Sequence, residues 1–182
     1  MHRLFVAIRP PEAVRDALLD TMEGVDGARW QEDDQLHLTL RYIGEADQHT
    51  ANDLAEALGT VSFDPFPITV RGTGTFERKG RVHTLFADIE RTPPLVALRG
   101  RVERICIETG LEPEHRKFAP HITLARLNSS SGPVAPYLAA HAGLRLDPWE
   151  CNSFFLYESH LRPTGSIYEP VVTYPASTRS RA

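Results

Sequence analysis

Two segments of the chain carry the same pattern of histidine, apolar residue, threonine and leucine. They are His37-Leu38-Thr39-Leu40 and His121-Ile122-Thr123-Leu124. Composition alone predicts roughly 0.03 copies of this pattern, so two copies are not an accident of residue usage. Alternate side chains of a β-strand share a face, so each histidine projects together with its threonine. If both strands border one cleft, two imidazoles and two hydroxyls converge there.

Such a set suits in-line displacement at phosphorus. An imidazole with a pKa near 6.5 can accept or donate a proton near neutrality. One histidine would deprotonate an attacking water and the other would protonate the departing ribose oxygen, from opposite walls of the cleft. The hydroxyls of Thr39 and Thr123 would hold the non-bridging oxygens. We therefore expect His37, His121 and both threonines to be catalytic, although the near-identical segments do not order the two histidines.

The sequence lacks the signatures of other common chemistries. There is no His-x-His, no paired cysteine and no His-Glu-x-x-His, so neither a metal nor another cofactor is expected. A strained cyclic phosphate ester also needs no metal activation. The glycine-rich stretch 71–75 lacks the spacing of a phosphate-binding loop, and a turn explains it.

Composition indicates one soluble domain. The 182 residues are 41% hydrophobic and 24% charged, and we assign 1–176 to a single bilobal domain and 177–182 to a flexible tail. A net charge of −4 argues against a protein that coats nucleic acid. No apolar run is long enough for a membrane span, and Cys106 and Cys151 are too few for a disulfide framework. We expect a cytoplasmic monomer.

Periodicity predicts four helices, at 12–22, 47–58, 92–110 and 134–141. Strands are predicted at 3–8, 28–31, 36–43, 66–70, 74–77, 82–89, 121–127, 144–146, 153–159 and 168–173. Single helices alternate with strands, and some strands follow one another directly, which favours an α+β fold. A helix precedes and follows each His-x-Thr strand, which suggests two related lobes that face each other.

These segments resemble the two-histidine phosphoesterase superfamily, and within it the RNA 2′,3′-cyclic phosphodiesterases, also called 2′-5′ RNA ligases. The resemblance covers residues 3–173 and rests on 3–8, 36–45, 118–126 and 165–168. It implies a bilobal α+β fold with a pseudo-twofold axis, an antiparallel-rich sheet and outer helices in each lobe, and an active-site cleft between them. It also implies opening of a 2′,3′-cyclic phosphate RNA end to a 2′-phosphate, with His37 as proton donor and His121 as proton acceptor. The reverse reaction would join RNA ends through a 2′-5′ linkage without ATP.

Four further residues are candidates for substrate binding. The resemblance puts Arg126 near the phosphate, although strand parity places it opposite His121 unless a bulge or strand end intervenes. Arg41 has the parity to join His37, and Tyr168 and Phe118 could stack on a base. Two alternatives stay open: a phosphodiesterase acting on 2′-5′ oligonucleotides or small nucleotide cyclic phosphates, and a non-catalytic RNA- or nucleotide-binding module.

Overall fold

A computed structural model describes residues 1–177 of the chain. Ten strands form in the described part: β1 (His2–Ile8), β2 (Arg29–Trp30), β3 (Leu38–Ala46), β4 (Phe66–Ile68), β5 (Val70–Arg78), β6 (Arg81–Ile89), β7 (His121–Arg126), β8 (Trp149–Cys151), β9 (Ser153–Arg162) and β10 (Gly165–Pro175). Four α-helices accompany them: α1 (Glu12–Leu19), α2 (Gln48–Leu58), α3 (Pro93–Glu108) and α4 (Ala135–Ala140).

The strands form an antiparallel sheet in the order β10-β9-β1-β3-β7-β6-β5, with β2 on β7, and a separate β4-β8 pair. The two halves of the large sheet meet where β3 pairs with β7, and the register there is a single pair, Leu38 with Ile122. Each of these residues stands between the histidine and threonine of its motif. The junction therefore relates the two motifs by a pseudo-twofold axis, and the fold is α+β with two lobes, as predicted.

Apolar side chains behind the motifs anchor the two central strands. Leu38, Leu40, Ile122 and Leu124 are at most 3% exposed and belong to the main core cluster, together with apolar residues of all four helices. Burying side chains of this size stabilises each strand by about 2 kcal/mol per residue. The face that carries the histidines is consequently held in place from behind.

Sequence and structure differ mainly at short elements. The strand predicted at 144–146 is reduced to an isolated bridge between Arg71 and Arg145, and the three-residue strand β8 was not predicted. Strand β3 begins at Leu38, one residue after His37. Of the predicted tail, Ser177 donates its backbone N–H to the Phe63 carbonyl, and 178–182 lie outside the described residues. Within the described chain no helix is long and apolar enough to span a membrane.

Candidate active site

The His37 imidazole is fixed by one hydrogen bond and a set of aromatic neighbours. Its Nδ1 lies 2.7 Å from the Gln35 carbonyl oxygen, which can only accept, so Nδ1 carries the proton and Nε2 is left free. Phe5 lies 4.8 Å from the ring, and Tyr168 meets it edge-on at 5.1 Å. Burial lowers the pKa of His37 to about 4. The imidazole is therefore neutral near pH 7.

His121 repeats this arrangement from the other lobe. Its Nδ1 lies 2.6 Å from the Ala119 carbonyl oxygen, again two residues earlier in the chain, so Nε2 is again the free nitrogen. Phe76 meets the ring edge-on at 4.8 Å, and Phe86 lies at 5.2 Å. Burial lowers the pKa of His121, and the carboxylate of Asp88, its partner on β6, opposes that shift.

Both histidines line one cleft of about 260 Å³ with their threonines. Thr39 and Thr123 are half-buried on the same walls, as i, i+2 spacing predicts. The described residues place Arg126 and Tyr168 in this cleft as well. The positive charge of Arg126 lowers the pKa of both histidines, so this guanidinium acts on both sides of the cleft.

A β-bulge brings Arg126 onto the face of His121. On β7, Thr123 pairs with Phe86 and Ala125 pairs with Leu85, so Leu124 is an extra residue that reverses the strand parity beyond it. The Nη1 of Arg126 then donates to the hydroxyl of buried Thr84 at 2.9 Å. This is the bulge that reconciles the parity of Arg126 with a place in the cleft.

Strand β3 has the equivalent bulge, and there it excludes Arg41. Thr39 pairs with Ala7 and Arg41 pairs with Val6, so the parity changes at Leu40. The expectation that Arg41 joins His37 therefore has to be corrected, because the residue that reaches the cleft is Tyr42. Tyr42 and Arg126 each stand five positions after their histidine.

Comparison with known proteins places this geometry in a family. Residues 10–161 match the family model described as the 2′-5′ RNA ligase superfamily. The chain belongs to the 2′-5′ RNA ligase superfamily. It is 35% identical over 177 residues to an RNA 2′,3′-cyclic phosphodiesterase of Thermus thermophilus, covering 91% of this chain and 86% of the relative. Its identity to the enzyme of that name from Aeropyrum pernix is 33% over 153 residues, covering 82% and 87%.

Solved structures show the same fold. The crystal structure of TT0787 of Thermus thermophilus matches with a TM-score of 0.80 at 28% identity, covering 95% of this chain and 97% of that one. The crystal structure of Escherichia coli LigT complexed with 3′-AMP matches with a TM-score of 0.77 at 21% identity, covering 97% and 99%. The bilobal phosphoesterase fold of the superfamily is thus the fold of this chain.

In this member of the 2′-5′ RNA ligase superfamily Arg41 is a structural residue. It is 8% exposed, and its Nε donates to the Glu103 carboxylate at 2.5 Å. Its Nη2 donates to the Glu112 carbonyl oxygen, and Glu103 also accepts from the backbone N–H of Glu114 at 2.8 Å. The ion pair ties β3 and α3 to the loop that leads to His121.

Phe118 lies outside the catalytic cleft. It borders a neighbouring groove that shares His121, Thr39 and Tyr42 with the cleft. The guanidinium groups of Arg91 and Arg99 lie 6.0 and 5.6 Å from its ring centroid. Its predicted stacking on a base stays a prediction, and the groove that it borders is where such a base would lie.

Sequence reasoning missed Tyr42, Phe5 and Gln35, which line the cleft, and Phe76, which packs against the His121 ring. Aligning the two motifs on their histidines pairs Tyr42 with Arg126, so the repeat contained a signal for Tyr42. The sequence carries no pattern for the aromatic residues or for Gln35, because strand pairing positions the former and a short 3-10 helix, Asp33–Gln35, positions the latter. Among residues 1–177 no three His, Cys, Asp or Glu side chains are grouped to hold a metal ion.

Proposed function

We propose that this chain hydrolyses RNA 2′,3′-cyclic phosphate ends to 2′-phosphates, with His37 as proton donor and His121 as proton acceptor. The observation that carries the proposal is the matched pair of imidazoles in one cleft, each with Nδ1–H held by a carbonyl and Nε2 free. Because Nε2 is free in both rings, one histidine can accept a proton while the other donates one. The names of the relatives agree with this reaction class.

The reaction balances with the residues of the cleft. Nε2 of His121 removes a proton from a water, whose oxygen attacks phosphorus, and the bond from phosphorus to O3′ breaks as His37 delivers its proton to O3′. The 2′ oxygen keeps the phosphate. Thr39, Thr123 and Arg126 are placed to bind the non-bridging oxygens, where charge increases in the transition state.

The environments of the two histidines support this order of acid and base. Burial without a carboxylate partner makes protonated His37 a strong acid, as its pKa of about 4 indicates. Asp88 instead favours the protonated form of His121 that arises when it takes the proton from water. The phosphate anion of a bound substrate raises the pKa of His37 and so supplies the protonated donor. The same steps with an RNA 5′-hydroxyl in place of water join the 2′,3′-cyclic end to it through a 2′-5′ bond, because His121 takes the proton of the hydroxyl and His37 again protonates the departing O3′.

Replacing each histidine tests the proposal. We expect His37→Ala and His121→Ala to lose at least about 10³-fold in kcat on an RNA that ends in a 2′,3′-cyclic phosphate. His49→Ala is the matched control, because the His49 side chain is 87% exposed on α2. Near-normal turnover in either active-site variant would contradict the assignment and favour a binding module.

Three finer points belong to the same proposal. The substrate is an RNA end, with 2′-5′ oligonucleotides or small nucleotide cyclic phosphates as the alternative. Base stacking is assigned to Tyr168, which lines the cleft beside His37. Residues 1–176 act as one bilobal domain, and the protein works as a cytoplasmic monomer that processes RNA without a metal ion.

A further inference from the structure

A second groove, rich in arginine, adjoins the catalytic cleft where Gln35 and Tyr168, which contact His37, meet Arg126. Arg29, Arg126 and Arg162 line it, and it shares Gln35 and Tyr168 with the cleft. Arg29 and Arg162 are exposed, and no role in catalysis accounts for them. We call these three side chains the arginine cluster.

The arginine cluster brings like charges together. Arg29 and Arg126 are direct partners across the β2–β7 pair. Arg162 pairs with Gly165 at the end of the β9–β10 hairpin, and a Cβ added to Gly165 would lie 3.7 Å from Nη2 of Arg29. The cluster is therefore formed by two separate parts of the sheet.

Three arginines and one carboxylate, that of Glu32, line the groove, so the groove carries a net positive charge. No ion pair involving the arginine cluster is found among residues 1–177, in which eight ion pairs form elsewhere. Glu32 borders the groove, but its carboxylate accepts the backbone N–H of Gln35. Like charges placed opposite each other on paired strands destabilise a sheet. Three neighbouring arginines in a chain of net charge −4 therefore indicate a binding site for an anionic ligand, which would offset their repulsion.

The direction of the reaction identifies that ligand. The departing O3′ stays on the ribose of the substrate, so the ribose lies on the side of its proton donor, His37. The RNA strand attached to that ribose must leave the cleft on the same side, where Gln35 and Tyr168 lead into the second groove. The groove beside His121 is left for the attacking water.

We propose that Arg29 and Arg162 of the arginine cluster bind the phosphodiester backbone of the RNA strand that ends in the cyclic phosphate. Arg29 and Arg162 contact the first phosphodiester upstream of the terminal nucleotide, while Arg126 serves the reacting phosphate. This inference rests on the proposed function and adds the element that selects an RNA end over a free nucleotide. A mononucleotide 2′,3′-cyclic phosphate carries no upstream phosphodiester and gains nothing from Arg29 and Arg162.

The test is the ratio of kcat/KM on a short oligoribonucleotide 2′,3′-cyclic phosphate to kcat/KM on cytidine 2′,3′-cyclic monophosphate. We expect the Arg29→Ala/Arg162→Ala double variant to lower this ratio about tenfold. The plot of log KM against log salt for the oligonucleotide should also lose about 0.7 in slope for each phosphate contact removed. Arg101→Ala/Arg104→Ala, which removes two exposed arginines from α3, is the control and should leave the ratio unchanged. An unchanged ratio in the cluster variant overturns the inference.

A binding measurement separates this inference from the proposed function. Fluorescence anisotropy with a labelled oligoribonucleotide that ends in a 2′-phosphate reports strand binding without turnover. If the unaltered protein hydrolyses neither substrate, the proposed function fails. The inference on strand binding still predicts that Arg29→Ala/Arg162→Ala binds the oligonucleotide more weakly than Arg101→Ala/Arg104→Ala does. Equal affinity of the two variants overturns the inference on its own.

Discussion

The partly buried imidazole of His37 should make the stability of the fold depend on pH. Its pKa is about 4 in the folded chain, against an ordinary value of 6.5 in the unfolded chain. Between these pH values the unfolded chain binds more protons than the folded chain. The contribution of His37 to the free energy of unfolding is therefore fully present above pH 6.5 and is lost as the pH falls toward 4. At 1.36 kcal/mol per pKa unit, the loss is about 3 kcal/mol.

The measurement is urea unfolding of the original protein and of His37→Gln at pH 7 and pH 4. Glutamine does not titrate, so the variant lacks this contribution, while His121 and the carboxylates titrate in both proteins. From pH 7 to pH 4 the free energy of unfolding of the original protein should decrease by about 3 kcal/mol more than that of the variant.

Sulfate provides a control, since it keeps its charge across this range. An anion bound between the two histidines raises the pKa of His37 toward its unfolded value, so added sulfate should reduce the loss, whereas chloride at equal ionic strength should not. A difference that stays constant from pH 7 to 4 would refute the reasoning, because it would mean that His37 titrates normally in the folded chain.

Three more outcomes follow from the site. Thr39→Val and Thr123→Val should each lower kcat about 10²-fold with little change in Tm, because each removes one hydrogen-bond donor to the transition state. Steady-state kinetics and thermal unfolding measure the two effects, and an unchanged kcat contradicts the assignment. The profile of kcat/KM against pH should be bell-shaped with both apparent pKa values below 6.5, because burial lowers the pKa of both histidines. A profile whose upper apparent pKa lies above 7 contradicts this expectation. Arg41→Met should lower the free energy of unfolding by about 3–5 kcal/mol because it leaves Glu103 buried without its partner. In denaturant unfolding the double variant with Glu103→Met should recover part of that loss, and a single variant as stable as the original protein contradicts the structural role.

The meeting of the four motif side chains in one cleft was predictable because the pattern repeats. Two copies of a rare pattern fixed the histidines, the threonines and the apolar residues behind them, and alternation along a strand fixed their common face. The α+β class also followed, since helical and strand periodicities are local properties of the sequence. The structure then relates the copies through the single pair of Leu38 and Ile122.

The bulges were not predictable, and they decide which residue follows each motif into the cleft. Simple alternation favours Arg41 and disfavours Arg126, and the extra residues at Leu40 and Leu124 reverse both assignments. A bulge depends on the pairing strand as well as on its own sequence, so one strand read alone does not reveal it. The same holds for Phe5 and Phe76, which strands distant in sequence bring to the imidazoles.

In the proposed reaction two histidines, without a metal ion, open a 2′,3′-cyclic phosphate by expelling O3′. The most direct measurement is hydrolysis of an RNA that ends in this group, in excess EDTA, with the position of the product phosphate identified. We expect complete conversion to the 2′-phosphate at an undiminished rate. A 3′-phosphate product, or activity that EDTA abolishes, would contradict it.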